Sequence, residues 1–347
     1  MTRPKSYQLA SRTAALVGAG IATLLLAACG SNSTTTTPFP IGPTPTPMTS
    51  YPPGSPAPVG ATSLYVSNEG ANSIMVLPAS GTSTVTPTAT ISGSQTQLNQ
   101  PIALALDPAG NIWTVNFTAT QPSILEFASI ANGNVAPINT ISSSVLVQPS
   151  AIAFDAAGNI YVADYGNDAI DVFAAGSSGS VTPLRTIKGS TTTLMHPRGL
   201  QVDSSGNIWV ANTDAPAIDV FAATASGNAA PIRTIAGSST LLVKPNGVAL
   251  DAAGNIYVSN LTPPATGTVN IYAASAVANA APIGQYTDAN YVGNPYGIAL
   301  DNLGYVYVGD EGPNGAVKVY PPGTSGNVTY VERFTGIFNT PEGIAVR

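Results

Sequence analysis

The chain has 347 residues, 44% of them hydrophobic and only 8% charged, with a formal net charge of −6. Such apolar content excludes a disordered chain, and eleven scattered Lys and Arg residues with no basic cluster exclude a nucleic-acid interface. One cysteine, Cys29, leaves no partner for an internal disulfide, so the fold must hold by packing and strand pairing.

Residues 1–28 read as a signal peptide. Arg3, Lys5 and Arg12 form a positive start, and Thr13–Ala28 is an uncharged run of 16 residues, shorter than a membrane span needs. The run ends in Leu26-Ala27-Ala28-Cys29, which resembles the bacterial lipobox. That resemblance implies cleavage before Cys29, lipidation of its thiol and a membrane partner. The protein is then expected in the cell envelope on the extracytoplasmic side, at an outer membrane or cell surface. Removing three cations takes the net charge to −6 − 3 = −9. Residues 29–60 are dominated by Thr and Pro, a composition that gives an extended tether and no packed core.

From Ala61 onward the text repeats. An opening proline recurs at Pro101, Pro149, Pro197, Pro245, Pro295 and Pro341, in steps of 48, 48, 48, 50 and 46 residues. Each unit holds four apolar runs of strand length, bounded by Gly, Asn, Asp, Ser or Pro, without helical periodicity. The first runs read IALALD, SAIAFD, RGLQVD, NGVALD, YGIALD and EGIAVR. The second runs carry an aromatic at one fixed place, Tyr65, Trp113, Tyr161, Trp209, Tyr257 and Tyr307, and are apolar on both faces. The third alternates, with Asp171, Asp219, Asn270 and Lys318 interrupting it every second residue. The fourth carries Arg185, Arg233 and Glu332, as a rim strand would.

Four strands per unit at this period predict an all-β, six-bladed β-propeller with four-stranded antiparallel blades over residues 61–347. The ends complete each other. Residues from Ala61 to about Ile91 supply three strands of one blade, and Pro341–Arg347 supply its innermost strand, a Velcro closure that leaves no naked sheet edge. The span holds 347 − 61 + 1 = 287 residues, about six units, with nothing left for another domain; the chain is expected to act as a monomer.

The stretches PNGVALDAAGNIYVSN, PRGLQVDSSGNIWVAN and PSAIAFDAAGNIYVADYGNDAIDVF resemble the NHL-repeat family of β-propellers. The resemblance implies architecture; its members bind proteins, bind nucleic acids or catalyse, so it assigns no activity.

Two polar series are expected to be structural. Asp107, Asp155, Asp203, Asp251 and Asp301 each stand three residues before a Gly, a β-turn signature in which Asp accepts backbone amides. Asn68, Asn116, Asp164, Asn212, Asn260 and Asp310 close the second strands, where a short polar side chain bonds its own loop. The position after the opening proline differs: Ile102, Ser150, Arg198, Asn246, Tyr296 and Glu342 never repeat, although everything around them does. The residues before the proline vary too, among them His196 and Lys244.

His196, Arg198, Lys244, Asn246, Tyr296 and Glu342 are therefore the candidate ligand contacts at one mouth of the central channel. The expected function is a membrane-anchored binding scaffold for a protein, glycan or small molecule. No catalytic residue, metal or cofactor is assigned. The alternative comes from resemblance to propeller lactonases of the gluconolactonase and regucalcin type, whose inner Glu, Asn and Asp imply a Ca or Mg site. Asn246 and Glu342 match two such positions, while Arg198 falls at another. Streptogramin lyases also look similar and imply a His base; His196 is the only histidine.

Overall fold

The computed structural model describes residues 61–81, 85–262, 266–287, 294–312, 315–326 and 328–347. The signal peptide, Cys29 and the tether lie outside them. Among the described residues no helix is long and apolar enough to cross a membrane.

The chain forms six antiparallel sheets arranged as a six-bladed β-propeller. Blade one is the shared blade: Ser63–Asn68, Ser73–Pro78 and Ala89–Ser92, closed on its inner side by Pro341–Val346. Blades two to six open at Pro101, Pro149, Pro197, Lys244 and Pro295. Each innermost strand touches those of both neighbouring blades, and the ring closes through Pro341–Val346.

Both faces of every blade are covered. Six apolar clusters fill the six gaps between neighbouring blades, and the second strands are buried along their apolar length. Phe127, Phe173, Phe221, Tyr272 and Tyr320 end the third strands and are 0–1% exposed. Each contributes roughly 2–3 kcal/mol by leaving water.

This double coverage also decides what the alternating polar residues of the third strand face. Asp171, Asp219 and Asn270 are 0% exposed and Lys318 is 2% exposed, so no face of that strand is solvated. Their polar groups are met by cross-strand partners instead. Thr186 Oγ1 donates to Asp171 Oδ1, Thr234 Oγ1 to Asp219 Oδ1 and Gln285 Nε2 to Asn270 Oδ1, while Lys318 Nζ lies 3.2 Å from Asp310. The compensation is incomplete at Asp171, whose Oδ2 has no partner and whose carboxyl is pushed up to about 6 by burial.

The fourth strands are likewise less free than a rim strand would be. Arg185 Nη2 donates to Ala223 O, Arg233 Nε to Ala276 O and Asn139 Nδ2 to Ser177 O, each reaching the next blade. Glu332 is buried, accepts Gly81 N at 3.1 Å and has its carboxyl pushed up to about 7 by burial. The outer edges are also paired. Ile91, Ile141, Ile187, Ile235 and Tyr286 bridge in parallel to Gly133, Gly179, Gly227, Ala278 and Gly326 of the following blade. Edge coverage of this kind removes the template for pairing with other chains.

The Asp turns are as expected. Asp107, Asp155, Asp203, Asp251 and Asp301 each accept the backbone amide four residues on. They lie at the end of each blade opposite the prolines. The chain enters the propeller at that same end, since Ser63 starts and Asn68 finishes the second strand of blade one.

Candidate functional site

One irregularity recurs in every blade. The opening proline pairs with the polar residue that closes the second strand: Pro101 with Asn116, Pro149 with Asp164, Pro197 with Asn212, Pro245 with Asn260, Pro295 with Asp310 and Pro341 with Asn68. The register then slips by one residue. The residue after the proline is thus the extra residue of a β-bulge, outside the ladder and with its side chain re-aimed. This explains why that position is free to vary. All six such residues, Ile102, Ser150, Arg198, Asn246, Tyr296 and Glu342, line one central cavity of about 90 Å3.

The polar caps hold the surrounding loops in place. Asn99 N donates to Asn116, Val147 N to Asp164, Met195 N to Asn212, Val243 N to Asn260 and Asn339 N to Asn68. These are structural roles, as the sequence indicates.

Among the bulged residues, two serve the ring itself. Ser150 Oγ donates to Pro197 O at 2.7 Å and Asn246 Nδ2 to Pro295 O at 2.9 Å, each stitching one inner strand to the next. Arg198, Tyr296 and Glu342 instead converge. The Arg198 Cζ stands 4.7 Å from the centre of the Tyr296 ring, and its Nη1 is 4.0 Å from Glu342 Oε2.

A second ring completes this group. It consists of the residues just after the polar caps: Glu69, Phe117, Tyr165, Thr213, Leu261 and Glu311. Carboxylate oxygens of Glu69, Glu311 and Glu342 lie within 4.8 Å of one another. Phe117 and Tyr165 flank Arg198 at 5.5 and 5.4 Å. Sequence reasoning missed Glu69, Phe117, Tyr165 and Glu311. The signal was present, because this position also varies within a constant frame.

His196 and Lys244 stand outside this centre, on its shoulder. His196 Nδ1 is 2.5 Å from Asp214 Oδ2, and Lys244 Nζ is 3.4 Å from Asp214 Oδ1. The hydrogen bond with His196 and the nearby Lys244 hold the Asp214 carboxyl below its usual range. The His196 ring stacks on Tyr165 at 4.3 Å, which links shoulder to mouth.

Crowding shapes the charge at the centre. Glu342 is 6% exposed; burial, the hydrogen bond with Glu311 and the charge of Glu311 raise its carboxyl well above the usual range, with Arg198 opposing. Burial and Glu311 raise Glu69 as well. Burial pushes the Tyr296 phenol up to about 12.

Does this set fit a resident metal? A hard cation takes six to eight oxygens. Three carboxylates are close enough to begin such a shell, but Glu342, crowded and hydrogen-bonded with Glu311, favours its protonated form over a bare ligand oxygen, and its Oε2 already faces the Arg198 guanidinium at 4.0 Å. The residues do not fit a divalent centre, and no metal-assisted step is derived.

The sequence matches no protein-family model and none of the curated proteins. Solved structures do match. One, a crystal structure of a nidogen/laminin complex, is 19% identical with a TM-score of 0.60, over 81% of this chain and 97% of that one. A putative 6-phosphogluconolactonase from Bacteroides fragilis is 14% identical with a TM-score of 0.59, over 83% and 98%. Another putative 6-phosphogluconolactonase, from Bacteroides uniformis, is 14% identical with a TM-score of 0.55, over 80% and 84%. At such identities the likeness shows the fold alone, a β-propeller.

Proposed function

We propose that the protein is a lipid-anchored propeller of a bacterial cell envelope whose channel mouth binds a ligand. The observation that carries the binding reading is the meeting of two rings. The repeat breaks at two positions per blade, and in space those breaks assemble into Arg198, Tyr296 and Glu342 against Glu69, Phe117, Tyr165 and Glu311. A purely architectural ring would repeat there as it does elsewhere.

The anchor rests on the basic start, the uncharged run and Leu26-Ala27-Ala28-Cys29. The NHL-like text is compatible with a binding role. So is a structural neighbour crystallised as a protein complex. The chain enters the propeller at the end opposite the mouth. The lactonase or lyase alternative shares this face, but His196 is committed to Asp214 and Glu342 faces Arg198, so no distinct observation favours it.

If the acidic mouth is kept for a ligand, it is a liability to the fold. Glu342 is held above its usual range, so the native state binds more protons than the unfolded one, and this contribution falls as pH rises above the ordinary carboxylate range. Glu311→Gln should therefore raise Tm by about 2 °C or more near pH 7.5, and by less as the pH falls toward the ordinary carboxylate range, where the contribution of the raised Glu342 is retained. A lower Tm across that range would make the cluster structural and remove the site. For the anchor, Cys29→Ser should move the protein from the washed membrane fraction to the soluble one. A variant that stays membrane-bound would refute lipidation at Cys29.

A further inference from the structure

Among the described residues the mouth has more acceptors than donors. Three carboxylates face one guanidinium, and among the described residues Glu342 is the only carboxylate within 4.0 Å of Arg198. The neighbouring donors are already used: Ser150 Oγ on Pro197 O, Asn246 Nδ2 on Pro295 O and Gln100 Nε2 on Glu69 Oε1. The Tyr296 hydroxyl is bonded to Glu311. Asn246 is 6% exposed and lines the cavity. The described residues of the mouth are therefore matched by a ligand group that only donates and carries positive charge.

The same face carries an apolar arc. Val147, Met195 and Val243 are 38%, 48% and 39% exposed, at one equivalent position in the loops that enter blades three, four and five. Leu241 adds to it at 50% exposed. Their placement is fixed, because the backbone amides of Val147, Met195 and Val243 are each held by a polar cap. On the opposite side of the mouth the equivalent positions are Asn99 and Asn339, and Glu69, Glu342 and Glu311 belong to blades one and six. The face is therefore aliphatic on one side, acidic at the far side of the pit and aromatic between.

We propose that this face docks a polypeptide segment that places aliphatic side chains on the Val147–Met195–Val243 arc and inserts an Arg or Lys side chain among Glu69, Glu311 and Glu342. The inference rests on the mouth being the binding site. Charge complementarity selects the inserted group: a guanidinium or ammonium supplies only donors, and its charge would draw the crowded carboxyls of Glu69, Glu311 and Glu342 into their ionised form. The free face of the arc is aliphatic, which suits a peptide. Sugar rings stack on open aromatic faces, whereas Tyr165 lies between Arg198 and His196, and Phe117 and Tyr296 also flank Arg198.

The test is calorimetric titration of the propeller with an acetylated, amidated pentapeptide of sequence GLRLG, with its citrulline counterpart and with methyl glucoside. The arginine peptide should bind, and the citrulline peptide and glucoside should bind at least tenfold more weakly. Glu311→Gln and Met195→Asp should each weaken the arginine peptide at least fivefold, with melting curves confirming that both variants fold. Equal binding of the citrulline peptide, or preferential binding of the glucoside, would overturn the basic-peptide proposal while leaving the mouth as a site, provided Glu311→Gln still weakens it. No binding by any probe, or binding that neither substitution alters, would remove the proposal and the binding reading together.

Discussion

Deleting Pro341–Arg347 should abolish cooperative melting. Seven residues are lost, yet they are the innermost strand of blade one. Leu64, Tyr65 and Val66 pair with Val346, Ala345 and Ile344, and both Thr62 N and Ser63 N donate to Arg347 O. Ile344 also packs with Leu64, Val66, Tyr307 and Phe334 in the cluster between blades six and one. Losing one such buried aliphatic costs about 2–5 kcal/mol, and the total stability of a domain is only about 5–15 kcal/mol. The deletion adds an unpaired strand edge along Ser63–Asn68 and opens the ring between blades six and two. Calorimetry should show no sharp transition, and size-exclusion chromatography should show aggregates. Supplying the peptide PEGIAVR in excess should restore part of the transition by filling the gap. A truncated protein that melts within a few degrees of the full chain would refute closure by this strand.

The propeller was legible because the chain writes the same unit six times and because its ends are out of step with the count. A single blade would have been ambiguous; the displaced strands Ser63–Asn68 and Glu342–Arg347 specify both closure and blade number. The alternation of the third strand was legible, but not what its polar residues face. Alternation indicates one solvated face only when a sheet has one, and here each blade is sandwiched, so Asp171 and Asp219 are fully buried against Thr186 and Thr234.

The mouth was half legible. The bulged position announces itself as the place where repetition stops, and Arg198, Tyr296 and Glu342 do meet. Asn246 and Ser150 share that position but bond to a neighbouring strand, which depends on how closely the strands approach. Glu69, Phe117, Tyr165 and Glu311 follow the polar caps. Once the caps are assigned to loop structure, the residue after them reads as loop, and only the pairing of each cap with a proline reveals that the two variable positions are neighbours. His196 and Lys244 lie close in sequence to Arg198 and Asn246, yet both turn to Asp214 on the shoulder.

Gly297→Ala should be among the most damaging single substitutions, because of space rather than backbone conformation. A Cβ built there would stand 2.1 Å from Glu342 O and 3.0 Å from Ile344 N, both main-chain atoms of the neighbouring inner strand. The backbone cannot yield as a flexible side chain could, so either the strand shifts or the ring widens. Gly199 and Gly247 show the same crowding, with main-chain oxygens of Asn246 and Tyr296 at 2.6 Å, whereas blades two and three hold Ala103 and Ala151 at this place. The inner collar is thus tightest where blade six meets the closing strand. Overpacking of this severity should cost about 3 kcal/mol or more, lowering Tm by about 6 °C or more. Gly323→Ala separates the two causes. Gly323 has a φ of +68° and nothing within 4 Å, so its substitution carries only the left-handed penalty of about 1–2 kcal/mol. Because Gly297 follows Tyr296 and its new methyl would press on Glu342, the same change should also pull the mouth apart and weaken the arginine peptide. A Gly297→Ala protein that melts like the Gly323→Ala protein would show that the inner strands have room, and that the collar does not set the spacing of Tyr296 and Glu342.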